Sequence, residues 1–277
     1  MKILKKISWW FIAGIFLVNI GMAQSLTEID EKPFILGRTH KIKSAELGES
    51  RVINVYLPEG YSEKESYPVI YLLDGSEDED FIHIAGLIQF SNFSWVNILP
   101  KSILVGVANI DRRRDFTYPT TIEKDKKDFP TTGGSAKFIA FIEKELQPFI
   151  EKKYQTDESK MIIGQSLGGL LATEILFKKP ELFNRYVIIS PSLWWDNQSL
   201  LKYTPKKINA RTDVYLAVGK EGEIMERDAR RLFALLQKRK TENLTAVFKY
   251  FPDEDHTTIF HQAVYEGFKS LQTKRQK

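Results

Sequence analysis

Apolar and polar positions along the chain fall into two alternating rhythms. "RVINVYLP" (51–58), "YPVIYLLDG" (67–75), "SILVGVAN" (102–109) and "KMIIG" (160–164) read as strands. So do "RYVIIS" (185–190), "DVYLAVG" (213–219) and "TAVFKYF" (245–251). Several are apolar on both faces, which marks strands covered on both sides. Between them the period changes to that of a helix. Phe138, Phe141, Ile142, Phe149 and Ile150 form one stripe, with Ser135 a suitable N-cap and Pro148 expected to kink the helix. Leu232, Leu235 and Leu236 mark a helix within 226–240, and a last helix is predicted over about 258–272. Two or three strands followed by strict β/α alternation predict an α/β fold: a mostly parallel, doubly wound sheet with an antiparallel N-terminal edge. Residues 110–134 break the rhythm as a long polar stretch with two prolines, of the kind that serves as a functional loop or stays disordered.

The N-terminus follows neither rhythm. "MKILKK" is basic, "ISWWFIAGIFLVNI" is apolar but short for a membrane span, and Gly21 and Ala23 are small. This is the pattern of a secretory signal peptide cleaved after Ala23, leaving residues 24–277 as one domain and an exported, periplasmic or secreted product. Cleavage removes three of the 40 basic residues, leaving 37 against 36 acidic and a net charge of +1. Near-neutrality gives no basis for nucleic-acid binding or for stable membrane association after cleavage. The chain contains no cysteine, which excludes disulfides, thiolate catalysis and cysteine metal sites.

The candidate chemistry lies in "SKMIIGQSLGGLLATEILFKKP" (159–180). A short apolar strand runs into Gly164-Gln165-Ser166-Leu167-Gly168, and helical spacing (Leu167, Leu170, Leu171, Ile175) follows at once. A serine at a sharp strand-to-helix turn is placed as a nucleophile. Gly164 and Gly168 flank the turn without side chains to clash, and Gly169 lets the helix approach the sheet. The Leu167 N–H, at the positive end of that helix, suits an oxyanion. A serine needs a base and an acid to orient the base, and on this elbow both follow the serine in sequence. Of the four histidines (His40, His83, His256, His261), the two that follow are His256 and His261. His256 lies just past the last strand, at the same sheet edge as Ser166. His261 falls within the last helix. Glu221 and Glu223, after "DVYLAVG", are the acids placed to face His256, with Glu221 nearer the strand end; a Ser–His dyad is the alternative. Asp228 lies too far into its helix, and Asp253 and Asp255 are too local. A second oxyanion donor is expected at Gly75 or Ser76.

"GQSLGGLLATEILFKKPELFNRYVIISPSLWWD", with "YPVIYLLDG", "ELQPFIEKKY" and "FPDEDHTTIF", resembles the esterase D-like branch of the α/β-hydrolase superfamily over most of residues 40–270. That branch includes trilactone siderophore hydrolases and carbohydrate acetyl and feruloyl esterases. The resemblance implies Ser166 as nucleophile and His256 as general base, no metal or cofactor, and a small-molecule or glycan-linked ester as substrate. In that branch such tryptophans lie beside the catalytic pocket; Trp194 and Trp195 read otherwise as core aromatics, but two adjacent large rings cannot both face inward on a strand, so at least one is expected to line the substrate site. In "NIDRRRDFTYP" it points to an arginine position that Arg112 matches better than Arg114, suited to an anionic or catechol-like group or to a loop salt bridge. The paired tryptophans and Arg112 lean toward a siderophore ester. A non-catalytic binding protein on the same fold is the rival class.

Overall fold

The computed structural model describes residues 30–239 and 242–272; the leader at 1–23 lies outside them. Residues 30–35 fall outside the compact unit that begins at Leu36, to which everything below refers. Its eight strands are β1 (Arg38–Lys43), β2 (Ser50–Tyr56), β3 (Tyr67–Leu72), β4 (Ile103–Val107), β5 (Thr156–Gln165), β6 (Arg185–Ile189), β7 (Thr212–Gly219) and β8 (Leu244–Phe251). They form one sheet in the order β1-β2-β4-β3-β5-β6-β7-β8. β1 pairs antiparallel with β2, and β2 antiparallel with β4; every other pairing is parallel. The antiparallel edge and the alternation that follows agree with the sequence pattern. β1 carries one strongly apolar residue, Ile42, in "RTHKIK", and its sequence gives no strand signal.

The central strands read as apolar runs because both faces are covered. Ile162, Tyr186 and Ile188 face a core built with α4 (Ser135–Phe141), α5 (Gln147–Lys153), α6 (Leu167–Lys178) and α8 (Glu223–Lys238). Met161, Ile163, Val187 and Ile189 face the opposite core, built with α1 (Phe81–Asn92) and α9 (Ile259–Gln272). All residues of β4, β6 and β7 are buried. Such burial is the main stabilising term, at about 25 cal/mol per Å² of apolar surface.

Two local expectations differ from the structure. Ser135 is the first residue of α4, not its cap; Gly134 holds that position. Pro148 does not kink the helix sharply. The turn before it, Ile142–Leu146, widens to π-helical geometry and the backbone stays right-handed into α5. The proline ring displaces the carbonyl four residues back, and a wider turn absorbs that displacement.

The 110–134 stretch is folded. Arg112–Phe116 forms α2 and Glu123–Asp128 forms α3, with Phe116 and Tyr118 buried between them and the core. Asp111 caps α2 by accepting from Arg114 N–H at 3.0 Å. Buried Arg51 on β2 pairs with buried Asp115 and with Glu49, and Arg114 also bonds Asp115 and Glu49. α2 is thereby tied to the antiparallel edge of the sheet.

Candidate active site

Six chain segments converge at the carboxyl edge of the parallel strands, where open α/β sheets place their ligands. They are the residues after β3 (Asp74–Ser76), β4 (Asn109–Arg112), β5 (Ser166), β6 (Ser190–Trp194), β7 (Glu221) and β8 (His256).

Ser166 is the residue between β5 and α6, with φ 59° and ψ −119°. A non-glycine residue is rare there, and such strain concentrates at functional turns. The backbone around it is fully committed. Ser166 N–H donates to Ile189 O at 3.0 Å, and its carbonyl accepts from Leu170 N–H (2.9 Å) and Ser192 N–H (3.0 Å). A Cβ on Gly164 would sit 2.4 Å from Gly168 O, so glycine is obligatory before the turn. Gly169 meets Ile189 O and Pro191 Cα at about 3 Å, which is the close helix–sheet approach expected. Gly168 is different: its Cβ would lie 3.4 Å from Asp74 Oδ2, an ordinary contact. Ser166 Oγ lies 3.3 Å from Ser192 Oγ, within hydrogen-bonding reach.

Glu221, and not Glu223, reaches His256. Its Oε2 accepts from His256 Nδ1 at 2.6 Å, and its side chain is 2% exposed. Oε1 accepts from Gly219 N–H at 2.9 Å and from the Ser190 hydroxyl. Burial pushes the Glu221 carboxyl upward, but the bonds from His256, Ser190 and Gly219 outweigh it and hold the group below the usual carboxylate range. With Nδ1 engaged, the other ring nitrogen is left for chemistry. Gln165 Nε2 donates to His256 O at 2.5 Å, tying the histidine loop to the elbow. Asp255 shapes the same loop by accepting from Thr257 and Thr258 N–H, and does not orient the ring. Glu223 is exposed in the first turn of α8, and Asp228 is buried against Arg227. His261 sits on α9 with Nδ1 2.7 Å from His83 Nε2. His40 bonds Tyr154 at 2.8 Å.

Leu167 N–H belongs to the first turn of α6, where donors lack intrahelical acceptors. Gly75 does not offer a second free donor, because its N–H is bonded to Val107 O at 3.0 Å. The cause is close packing: a Cβ on Gly75 would meet Gly106 Cα at 2.4 Å. Ser76 N–H is the looser donor, 3.3 Å from Glu79 Oε2.

Arg112 lies beside the elbow. It forms a bidentate pair with Asp74 (2.6 and 3.0 Å) and donates to Gln165 O at 3.2 Å. Asn109 Nδ2 bonds the same Asp74 at 2.7 Å. The salt-bridge reading of Arg112 is thus present in the structure, with the guanidinium one-third exposed.

The two tryptophans separate. Trp194 is half-buried beside Phe129. Trp195 is fully buried, its Nε1 donating to Tyr118 O at 2.9 Å, so it does not line a substrate site. Trp194 caps and Trp195 begins α7 (Trp195–Lys202), so strand alternation does not govern the pair. Asp196, Asn197 and Gln198 follow with φ of 48°, 50° and 60°. Asp196 holds this left-handed turn by accepting from Thr121 N–H and the hydroxyls of Thr120 and Thr121. The Asp125 carboxylate accepts from Asp196 N–H in return. This latch was invisible in sequence, since it joins residues about 75 apart through ordinary polar side chains.

The family model described as "Putative esterase" matches residues 44–270. The chain belongs to this esterase family. It is 32% identical over 236 residues to the ferri-bacillibactin esterase BesA of Bacillus subtilis, covering 76% of this chain and 81% of that protein. Among solved structures it is similar to an IroE-like serine hydrolase from Shewanella oneidensis, at 32% identity and TM-score 0.74, covering 86% of this chain and 80% of that one. The BES protein from Bacillus cereus superposes with TM-score 0.77 at 29% identity, covering 89% and 99%. The family and its members make this esterase a carboxylic-ester hydrolase on an α/β-hydrolase fold. Among the described residues no helix is long and apolar enough to cross a membrane.

Proposed function

We propose that this esterase hydrolyses a siderophore ester through an acyl-enzyme on Ser166, with His256 as general base and Glu221 orienting it. The observation that carries the mechanism is the Glu221–His256 bond of 2.6 Å, one loop from a serine at φ 59°. Ser166 Oγ turns from Ser192 toward the free nitrogen of His256, gives up its proton there and attacks the ester carbonyl. The tetrahedral oxyanion takes donors from Leu167 N–H and Ser76 N–H. Protonated His256 then gives its proton to the leaving alcohol and later draws one from the water that cleaves the acyl-enzyme. Trp194 flanks the acyl or aryl part of the substrate. Arg112 supports the elbow through Asp74 and Gln165 O, and offers its exposed edge to an anionic or catechol oxygen.

The siderophore assignment is supported by BesA and by two more distant relatives, a siderophore enterobactin esterase of Emericella nidulans and a triacetylfusarinine C esterase of Aspergillus fumigatus. The basic-apolar leader supports export, so that hydrolysis occurs outside the cytoplasm. Ser166→Ala is expected to abolish turnover of p-nitrophenyl butyrate and labelling by a fluorophosphonate while the protein stays folded; retained turnover refutes the nucleophile. A substrate panel then decides the class. Faster cleavage of a catecholate trilactone than of acetyl- or feruloyl-xylan is expected, and the reverse order assigns the enzyme to carbohydrate esters.

A further inference from the structure

α6 starts at the catalytic edge and its 12 residues end, at 1.5 Å per residue, about 18 Å away. Around its last turn lies a second cavity of about 320 Å³. Its apolar wall is made by Leu176 and Phe177 of α6, Leu235 and Leu236 of α8, Leu244 of β8 and Ile208 of the loop before β7. None of these residues belongs to the site described above. The volume is at the lower end of small-molecule pockets, about 300–1,000 Å³.

Three cations, Lys206, Lys207 and Arg239, line the same cavity. Arg239 Nη1 donates to Pro205 O at 3.3 Å, which holds the guanidinium at the rim. Among the described residues no carboxylate forms an ion pair with any of the three. Lys206, Lys207 and Arg239 are exposed and lay their stems along this apolar wall with their charged heads in water, so the edge of the opening carries three positive charges. An apolar cavity with a cationic rim complements one kind of small molecule: a flexible alkyl tail carrying a single anionic head.

We infer that this cavity is a binding site for a medium-chain fatty carboxylate, with the tail against Leu176, Leu235 and Leu244 and the head among Lys206, Lys207 and Arg239. The site is independent of the esterase chemistry.

Isothermal titration of the full-length protein with hexanoate, octanoate and decanoate tests it. Saturable one-to-one binding is expected, tightening about fourfold per methylene, which is the transfer free energy of one CH₂ converted to a ratio. Decanol should bind at least tenfold more weakly than decanoate, and decyltrimethylammonium should not compete. The double variant Lys206→Glu, Lys207→Glu changes two exposed side chains and should weaken decanoate at least tenfold with esterase turnover unchanged. Leu235→Glu places a carboxylate in the apolar wall and should abolish binding; a circular-dichroism melt verifies that it is folded. Retention on phosphatidylglycerol vesicles that vanishes in the double variant would show that a lipid acyl chain also satisfies the site. Absence of saturable decanoate binding, equal binding of the cationic amphiphile, or decanoate affinity unchanged in the folded variants overturns the inference. These readouts involve neither Ser166 nor His256, so they stand apart from the esterase mechanism.

Discussion

Replacing Glu221 with glutamine keeps the shape of the side chain and removes one charge, and the hydrogen bonds around it determine the outcome. Glu221 Oε1 accepts from Gly219 N–H, a donor that cannot turn away, and from Ser190. A glutamine must therefore put its carbonyl oxygen on that side and its NH₂ toward His256 Nδ1. An amide N–H facing Nδ1 makes that nitrogen an acceptor and forces the ring proton onto Nε2, the nitrogen that accepts from Ser166 in the proposed mechanism. Two losses combine. The charge-assisted bond is worth about 1.5–3 kcal/mol, and the wrong tautomer removes the base. The corresponding change in the serine-protease triad lowers kcat by about 10⁴, equivalent to about 5 kcal/mol at 1.36 kcal/mol per decade. Glu221→Gln is expected to lower kcat/KM for p-nitrophenyl butyrate by about 10³–10⁴ at neutral pH. Glu223→Gln, at an exposed helix start, should stay within about twofold. Initial rates per mole of purified, folded protein measure both. A loss below tenfold in Glu221→Gln would show a working Ser–His dyad and refute the tautomer argument.

The same carboxyl titrates below its ordinary value, so its contribution to stability is complete above the unfolded-state pKa and disappears as pH falls through the lower folded value. Melting curves from pH 7 to pH 3 should therefore show a steeper acid loss for the wild type than for Glu221→Gln. Asp80 behaves oppositely: burial, Asp74 and Glu79 raise it to about 6. Its ionisation opposes folding as pH rises from the unfolded value toward 6. Asp80 makes no side-chain cap bond to α1, so Asp80→Asn should stabilise by roughly 1 kcal/mol at pH 7.5, after discounting for its partial exposure, with the gain gone by pH 4. Trp195→Ala should cost about 3–5 kcal/mol of unfolding free energy, whereas Trp194→Ala should chiefly raise KM; equal denaturation midpoints for the two variants would contradict their different burial. Asp115→Ala should cost about 3–5 kcal/mol in urea unfolding by stranding Arg51, and a cost below about 1 kcal/mol would mean that Glu49 alone satisfies the guanidinium.

Seven strands were legible because buried parallel strands are runs of Val, Ile, Leu and Tyr, and β1 was not because an edge strand needs backbone pairing more than apolar side chains. The positions of Ser166 and His256 at one sheet edge were legible for a local reason: each carries its context beside it, a strand-turn-helix in one case and a post-strand loop in the other. Preferring Glu221 over Glu223 rested only on nearness to the end of β7. What separates them is the Gly219 N–H and the Ser190 hydroxyl, and the second comes from the segment after β6. Gly75 and Trp195 misled because composition does not say which N–H is already bonded or which ring is already covered. The partners responsible, Val107 and Tyr118, are more than 30 residues from each. The 110–134 stretch looked like a loose loop since its anchors, Arg51 and Asp196, are invisible from within it.

The Asp196 latch has a consequence for how this enzyme can diverge. The segment carrying Thr120, Thr121 and Asp125 and the left-handed turn after Trp195 each satisfy the other's backbone. Neither can be lengthened or exchanged alone without stranding donors in the other. Natural variants or engineered chimaeras that reshape the surface around Trp194 should therefore exchange residues 117–129 and 194–199 as one cassette, inherited together although they lie far apart in the gene.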